Sequence, residues 1–216
     1  MAEANAKKGG LLVISGFSGV GKGTVIRRLM EEFPEYAFSV SATTRKPRPG
    51  ETHGTDYFFI DPETFDRWVE EGKFLEYARF FDKAYGTLAE HVEDLRNQGK
   101  TVILDVEVEG ACNIMKSCPD AVSVYIIPPS AGELHSRLKK RATESEAQIR
   151  GRMEKAVREA DIIPQYHHIV VNDEVQDTAE EIHQLAQGTG KTRLPRRKAM
   201  RLARQIQKDL ARILEQ

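Results

Sequence analysis

Residues 16–24 read "GFSGVGKGT", a glycine-rich turn with one lysine between an apolar run and an amphipathic one. Such a turn aims several backbone N–H groups at one point, and a helix start adds partial positive charge there. That combination suits a polyphosphate. Gly16, Ser18, Gly19, Val20 and Gly21 would form the cradle, and Lys22 would reach over the terminal phosphates as a mobile point charge. The strict phosphate-loop spacing puts Ser or Thr directly after the lysine. Here Gly23 holds that place and Thr24 comes one residue late, so Thr24 is the hydroxyl candidate near a metal.

A second cluster follows at 39–59, "SVSATTRKPRPGETHGTDYFF". Arg45 and Arg48 sit in a segment stiffened by Pro47 and Pro49, and two guanidiniums on a rigid turn can clamp one phosphate. Glu51 is placed to hold an arginine, and Tyr57 can add a hydroxyl donor. Read alone, this is also what a solvated basic turn with a surface ion pair looks like. A third cluster, "PPSAGELHSRLKKRATESEAQIRGRM" (128–153), carries Arg137 and Arg141 four apart on one helical face, with Arg152 beyond.

The elements that must position these groups are legible. "LLVIS" (11–15) is a continuous apolar run ending at glycine, as a strand buried on both faces requires. "TVIRRLMEEF" puts Val25, Ile26, Leu29, Met30 and Phe33 on one helical face before Pro34 ends it. Buried strands recur at 101–106, 121–127 and 168–172. Helical patterns lie at 88–98, 108–117, 131–160 in one or two pieces, and 176–187. Strands alternating with helices predict an α/β fold with a parallel sheet covered on both faces. Residues 38–86 break this rhythm: three short strand patterns surround one helix, which favours antiparallel or mixed pairing.

G-K-G-T resembles the loop of nucleoside monophosphate kinases. The 39–59 stretch closely resembles the guanylate kinase signature S-x-S-x-T-T-R-x-x-R-x-G-E-x-x-G-x-D-Y-x-F, with Ser41, Thr43, Thr44, Arg45, Arg48, Gly50, Glu51, Gly54, Asp56, Tyr57 and Phe59 in register. The resemblance covers about residues 10–187. It implies a P-loop kinase fold: a mostly parallel five-stranded sheet, a small mixed α/β lobe for GMP, and a helical lid. It divides the chain into 1–9, a flexible N-terminus; 10–37, 88–128 and 161–187, the nucleotide-binding core; 38–87, the GMP lobe; 129–160, the lid; and 188–216, a basic helical extension.

By the same resemblance, Arg45, Arg48, Tyr57 and Tyr85 hold the phosphate of GMP, with Glu51 beside them, and Glu76, Ser41 and Thr87 meet guanine. Asp105 contacts the acceptor nucleotide, and Glu107 lies near the phosphates and a metal, which it and Thr24 would reach directly or through water. Lys22, Arg45, Arg137, Arg141 and Arg152 serve the transferring group, and Asn172 belongs to a segment beside the adenine. The activity implied is transfer of the γ-phosphoryl group of ATP to GMP or dGMP, with Mg²⁺ bridging the phosphates. The sequence departs from the family pattern at Phe17, where proline is usual, at Gly23, and at "LDVEVEG", which exchanges Asp and Glu and has Glu109 where Gln is usual. Two other classes share these features in part. One is a non-enzymatic phosphopeptide-binding scaffold, which typically lacks an intact phosphate loop; the other is a related kinase with another acceptor, such as a phosphorylated ribose.

Composition sets the outer bounds. The 216 residues carry 30% charged and 40% hydrophobic side chains, and no apolar run approaches the roughly 18 residues of a membrane span. The start lacks the apolar core of a secretion signal, and Cys112 and Cys118 have no metal spacing, so a cytoplasmic protein is expected. The net charge of −1 hides an asymmetry: residues 188–216 hold nine basic side chains and two acids, a net of +7, which leaves −8 on the rest. The tail's apolar residues recur at helical spacing, which predicts a basic amphipathic helix docked on protein; nucleic acid is not the expected partner, and an oligomer is open.

Overall fold

The computed structural model describes residues 8–80, 82–140 and 145–215; Met1–Lys7, expected to be flexible, and Arg141 lie outside them. The elements run β1 (Leu11–Gly16), α1 (Lys22–Glu32), β2 (Tyr36–Phe38), β3 (Ala42–Thr43), β4 (Phe58–Phe59), α2 (Pro62–Glu70), β5 (Phe74–Phe80), β6 (Lys83–Leu88), α3 (Ala89–Asn97) and β7 (Thr101–Asp105). They continue with α4 (Val108–Ser117), β8 (Val122–Ile127), α5 (Ala131–Lys140), α6 (Glu146–Glu159), a 3₁₀ helix (Ala160–Gln165), β9 (His168–Val171), α7 (Val175–Ala186) and α8 (Arg196–Leu214). A five-stranded sheet has the order β2-β7-β1-β8-β9, and β2–β7 and β8–β9 pair in parallel. A four-stranded sheet has the order β4-β3-β6-β5 and is mixed: β3–β4 parallel, β3–β6 and β5–β6 antiparallel.

The chain forms two compact units, residues 1–13 with 34–121, and residues 14–33 with 122–216. In the first, Val102, Ile103, Leu104, Ala111 and Ile114 are buried, as are Leu11, Leu12 and Val13 from the start of β1. Arg96, also buried, is held by the Gly9 carbonyl at 3.0 Å and by Asp120. In the second, α1 packs on α7, and Val25, Ile26 and Leu29 lie inside. Met30, expected on the same face, is 38% exposed, because its position falls at the edge of the apolar arc. Phe33 stacks on His183 with ring centroids 3.7 Å apart.

Two strands of this architecture carry no sequence pattern. β2 is three residues long and β6 contains Gly86, so neither shows the apolar run or alternation that marks a strand. The helical stretch after Ser130 divides in two, and α6 restarts with a capping box between Ser145 and Gln148.

The tail forms α8 as its periodicity predicts. Ala199, Ala203, Ile206 and Leu210 are buried where α8 packs on α6, the 3₁₀ helix and β9. Its leading segment is pinned by Arg193, whose backbone N–H and Nε both donate to Glu181 at 2.7 Å and whose Nη atoms reach Asp173 and Asp177. Glu181 is 5% exposed. Arg193→Ala leaves that buried carboxylate with the backbone N–H alone, and thermal or denaturant unfolding should show a loss of about 2 kcal/mol, below the full buried-pair value because that bond remains and the arginine is partly solvated. An unchanged unfolding midpoint would mean the pair contributes nothing.

Candidate active site

The second unit builds the phosphate loop. Fully buried β1 delivers the chain to Gly16, and the loop then turns through left-handed φ angles of 90° at Gly19 and 96° at Gly21, the N-cap of α1. A side chain at Gly21 would be strained by that φ and would also press within 2.9 Å of Asn172 Nδ2. Phe17 explains its departure from proline: its ring is buried edge-on against Tyr125, 5.5 Å away, and its N–H donates to the Ile126 carbonyl at 3.3 Å. Proline has no such donor. Gly23 faces open space, with nothing within 4 Å of where a Cβ would stand, so the late hydroxyl at exposed Thr24 has no steric cause.

The back of the loop is tied at one atom. The Val20 carbonyl accepts from Asn172 Nδ2 at 2.8 Å and from Arg137 Nη1 at 2.9 Å. Asn172 is buried, and its other end accepts from Thr178 Oγ1 at 3.2 Å, while Arg137 Nε is held by Glu133 at 2.8 Å. Asn172 therefore meets the loop through backbone, and its amide is already engaged inside the protein. Ser18 is half-buried in the loop, Lys22 opens α1, and Arg152 lies half-buried on α6. The result is a glycine-rich turn at a helix N-terminus, an arrangement that suits phosphate.

The first unit folds the 39–59 stretch into a turn organised around two arginines. Arg45 Nη1 and Nη2 grip Glu51 at 2.8 and 2.9 Å, Nη1 also donates to the Lys46 carbonyl, and the Arg48 N–H donates to Glu51 at 2.7 Å. Glu51 thus fixes both arginines of the turn, one by its side chain and one by its backbone. The Arg45 hydrogen bond, then the Arg48 N–H, hold the Glu51 carboxyl down to about 2. The Arg45 guanidinium, raised by the same bond, lies 5.3 Å from the Tyr57 ring centroid. Tyr57 and Tyr85 rings meet edge-on at 6.1 Å, and burial pushes the Tyr57 hydroxyl upward. Ser41 is half-buried, and its carbonyl accepts from the Phe58 N–H.

Glu76, on β5, faces Thr87, its neighbour on β6. Thr87 Oγ1 donates to Glu76 Oε1 at 2.7 Å, and Thr87 is 1% exposed. Burial raises the Glu76 carboxyl above the ordinary carboxylate range against the pull of that hydrogen bond, and the nearby Glu107 charge adds to the rise. Asp105 ends β7 exposed, and exposed Glu107 is the N-cap of α4. When ionised, a half-buried carboxylate with one hydroxyl partner keeps acceptor capacity for further N–H donors.

Gly110, the glycine that closes "LDVEVEG", has a role that its place in the sequence does not show. Gly110, in the first turn of α4, lies so close to Glu76 that an added Cβ would stand 2.4 Å from Oε2 and 3.0 Å from the carboxyl carbon. In the sequence it is an isolated glycine inside a helical pattern, which sometimes marks a close approach.

The arginine turn lies on the stretch that matched the signature, and comparison with known proteins places the whole chain in a family. The guanylate kinase family model matches residues 8–188. A guanylate kinase of Clostridioides difficile is 44% identical over 176 residues, covering 82% of this chain and 86% of that relative. One of Onion yellows phytoplasma is 48% identical over 178 residues, covering 82% and 84%. A crystal structure of guanylate kinase from Anaplasma phagocytophilum superposes with a TM-score of 0.65 at 31% identity, covering 84% and 86%. With a phosphate loop, a paired-arginine turn and a match along most of its length, the chain belongs to the guanylate kinase family.

Proposed function

We propose that this chain carries out the reaction of its family, transfer of the γ-phosphoryl group of ATP to GMP, with the roles divided between the two sites. The phosphate loop, Gly16 to Thr24, cradles the ATP phosphates, and Lys22 neutralises the terminal ones. Arg137, Arg152 and Arg141 add positive charge as the phosphoryl group passes. Asn172 acts by holding the loop at Val20. Arg45 and Arg48, steadied by Glu51, clamp the GMP phosphate with Tyr57 and Tyr85, and Glu76, Ser41, Thr87 and Asp105 read the base. Phosphoryl transfer leaves little covalent work for the protein, so positioning and charge neutralisation carry the rate. The acceptor is an ionised phosphate, so no general base is needed.

Mg²⁺ fits the donor set. Among the described residues no cluster of three His, Cys, Asp or Glu is present, and Mg²⁺ in kinases is held mainly by substrate phosphates and water with one or two protein oxygens. The Thr24 hydroxyl and Glu107 carboxylate are exposed oxygens of that kind. When bound, the ion would neutralise charge on the substrate phosphates.

The observation that carries the reading is Glu76 on Thr87. Guanine presents N1–H and N2–H donors on one edge, which one carboxylate accepts together; adenine presents an acceptor at N1, which would leave Glu76 facing a lone pair. ADP release measured with GMP, dGMP, AMP and ribose phosphates in turn should show turnover with the guanine nucleotides and little elsewhere. Equal rates with AMP, or none with GMP, would remove this reading. No helix among the described residues is long and apolar enough to cross a membrane, and we place the enzyme in the cytoplasm with its small-molecule substrates.

A further inference from the structure

Helix α8 lies beyond the residues that match the family, which end at 188. On a helix turning about 100° per residue, its buried residues Ala199, Ala203, Ile206 and Leu210 share one face. Arg197, Arg201, Arg204, Lys208 and Arg212 fall within an arc of about 80° on the opposite face, spread along about 22 Å of axis. All five are exposed. Arg212 pairs with Asp209 at 3.2 Å, whereas Arg197, Arg201, Arg204 and Lys208 show no ion pair among the described residues. Arg196, Arg197, Met200, Arg201 and Arg204 line an open recess on this face.

The mounting is firm. Arg196 donates to the carbonyls of Pro164, Tyr166 and His167 at 2.7, 2.7 and 2.9 Å, and Gln207 to Val157 at 2.9 Å. A regular row of cations on a fixed helix matches a ligand whose negative charges also repeat regularly. Arginine suits phosphate in particular, through paired N–H donors. A bilayer is a poor match, because membrane helices bury their apolar face in lipid, and here that face is already packed inside the protein. The rest of the chain carries −8, so this row is a strongly cationic face on an otherwise acidic chain.

We infer that the exposed face of α8 is a nucleic-acid contact surface, which binds the phosphate backbone of a single strand, for which RNA is the probe below, through Arg197, Arg201, Arg204 and Lys208 without reading sequence. No aromatic side chain lies on this face to stack a base, so the affinity is electrostatic and falls steeply with salt. This inference is independent of the kinase reaction.

The test is fluorescence anisotropy of a labelled single-stranded RNA of about 20 nucleotides with the full chain, in salt from about 50 to about 200 mM. Neutralising four phosphates predicts a slope of about −3 in log K against log salt, a loss of roughly 60-fold over that range. The quadruple variant R197Q/R201Q/R204Q/K208Q should bind at least about tenfold more weakly at low salt, while its phosphorylation of GMP matches the parent and so reports an intact fold. The pair R197Q/R201Q should fall between, with about half the slope. No RNA binding at the lowest salt, or equal binding by the quadruple variant, overturns the inference. So does retention on phosphatidylserine vesicles without RNA binding, or neutralisation of the row by a second copy of the chain, seen as a dimer that the quadruple variant loses.

Discussion

Replacing Glu76 with glutamine is expected to lower kcat/KM for GMP roughly 10³-fold, mostly through KM, while stability changes little. The carboxylate accepts two donors from guanine; glutamine offers one acceptor and turns an N–H toward the second donor. Charge-assisted hydrogen bonds contribute about 1.5–3 kcal/mol each, so losing one and opposing another costs about 4 kcal/mol. Preference for GMP over AMP should shrink with it, since an amide can pair with the adenine edge. GMP kinetics within tenfold of the parent and an unchanged preference would remove Glu76 from base reading.

The pH dependence supplies a second readout. Burial raises the Glu76 carboxyl, so its charge is lost as pH falls through a value above the ordinary carboxylate range. KM for GMP should therefore rise roughly tenfold per pH unit on the acid side, a limb that Glu76→Gln lacks. Glu51 behaves oppositely. Its folded value is depressed to about 2, so its bond to Arg45 favours the fold above the ordinary carboxylate pKa and is lost only as pH falls toward that figure. The arginine turn stays intact across the window in which Glu76 titrates, and the two effects separate.

The clusters and the main sheet were legible in the sequence because their signals are local. Apolar runs marked β1, β7, β8 and β9, glycine spacing marked the loop, and the arginine turn stood out by its prolines. Elements whose identity depends on partners were not legible. β2 exists because Tyr36, Ala37 and Phe38 pair with Thr101, Val102 and Ile103, far along the chain. β6 exists because β5 folds back on it, which also turns Thr87 toward Glu76. Asn172 could be named from its segment, but its use as a tie on Val20 joins residues 152 apart. Gly23, by contrast, is a local departure that the surrounding structure does not explain, since a side chain there meets open space.

Gly110→Ala should separate position from chemistry at Glu76. The added Cβ would stand 2.4 Å from Oε2, and relief to ordinary contact moves the carboxylate by about 1 Å. That group is half-buried and bonded to Thr87, so the movement disturbs a fixed geometry rather than swinging a free side chain. A displacement of about 1 Å in a positioned group costs roughly 10²-fold, which is the fall in kcat/KM for GMP expected here. Stability should fall by no more than about 1 kcal/mol, because the better helix propensity of alanine within α4 offsets part of the cost of the strained Thr87 hydrogen bond. Glycine acts here only through Glu76, so Gly110→Ala combined with Glu76→Ala should be no worse than Glu76→Ala alone. Additive losses in that cycle would mean that Gly110 serves the reaction by another route, and a large loss of stability would mean that it serves packing.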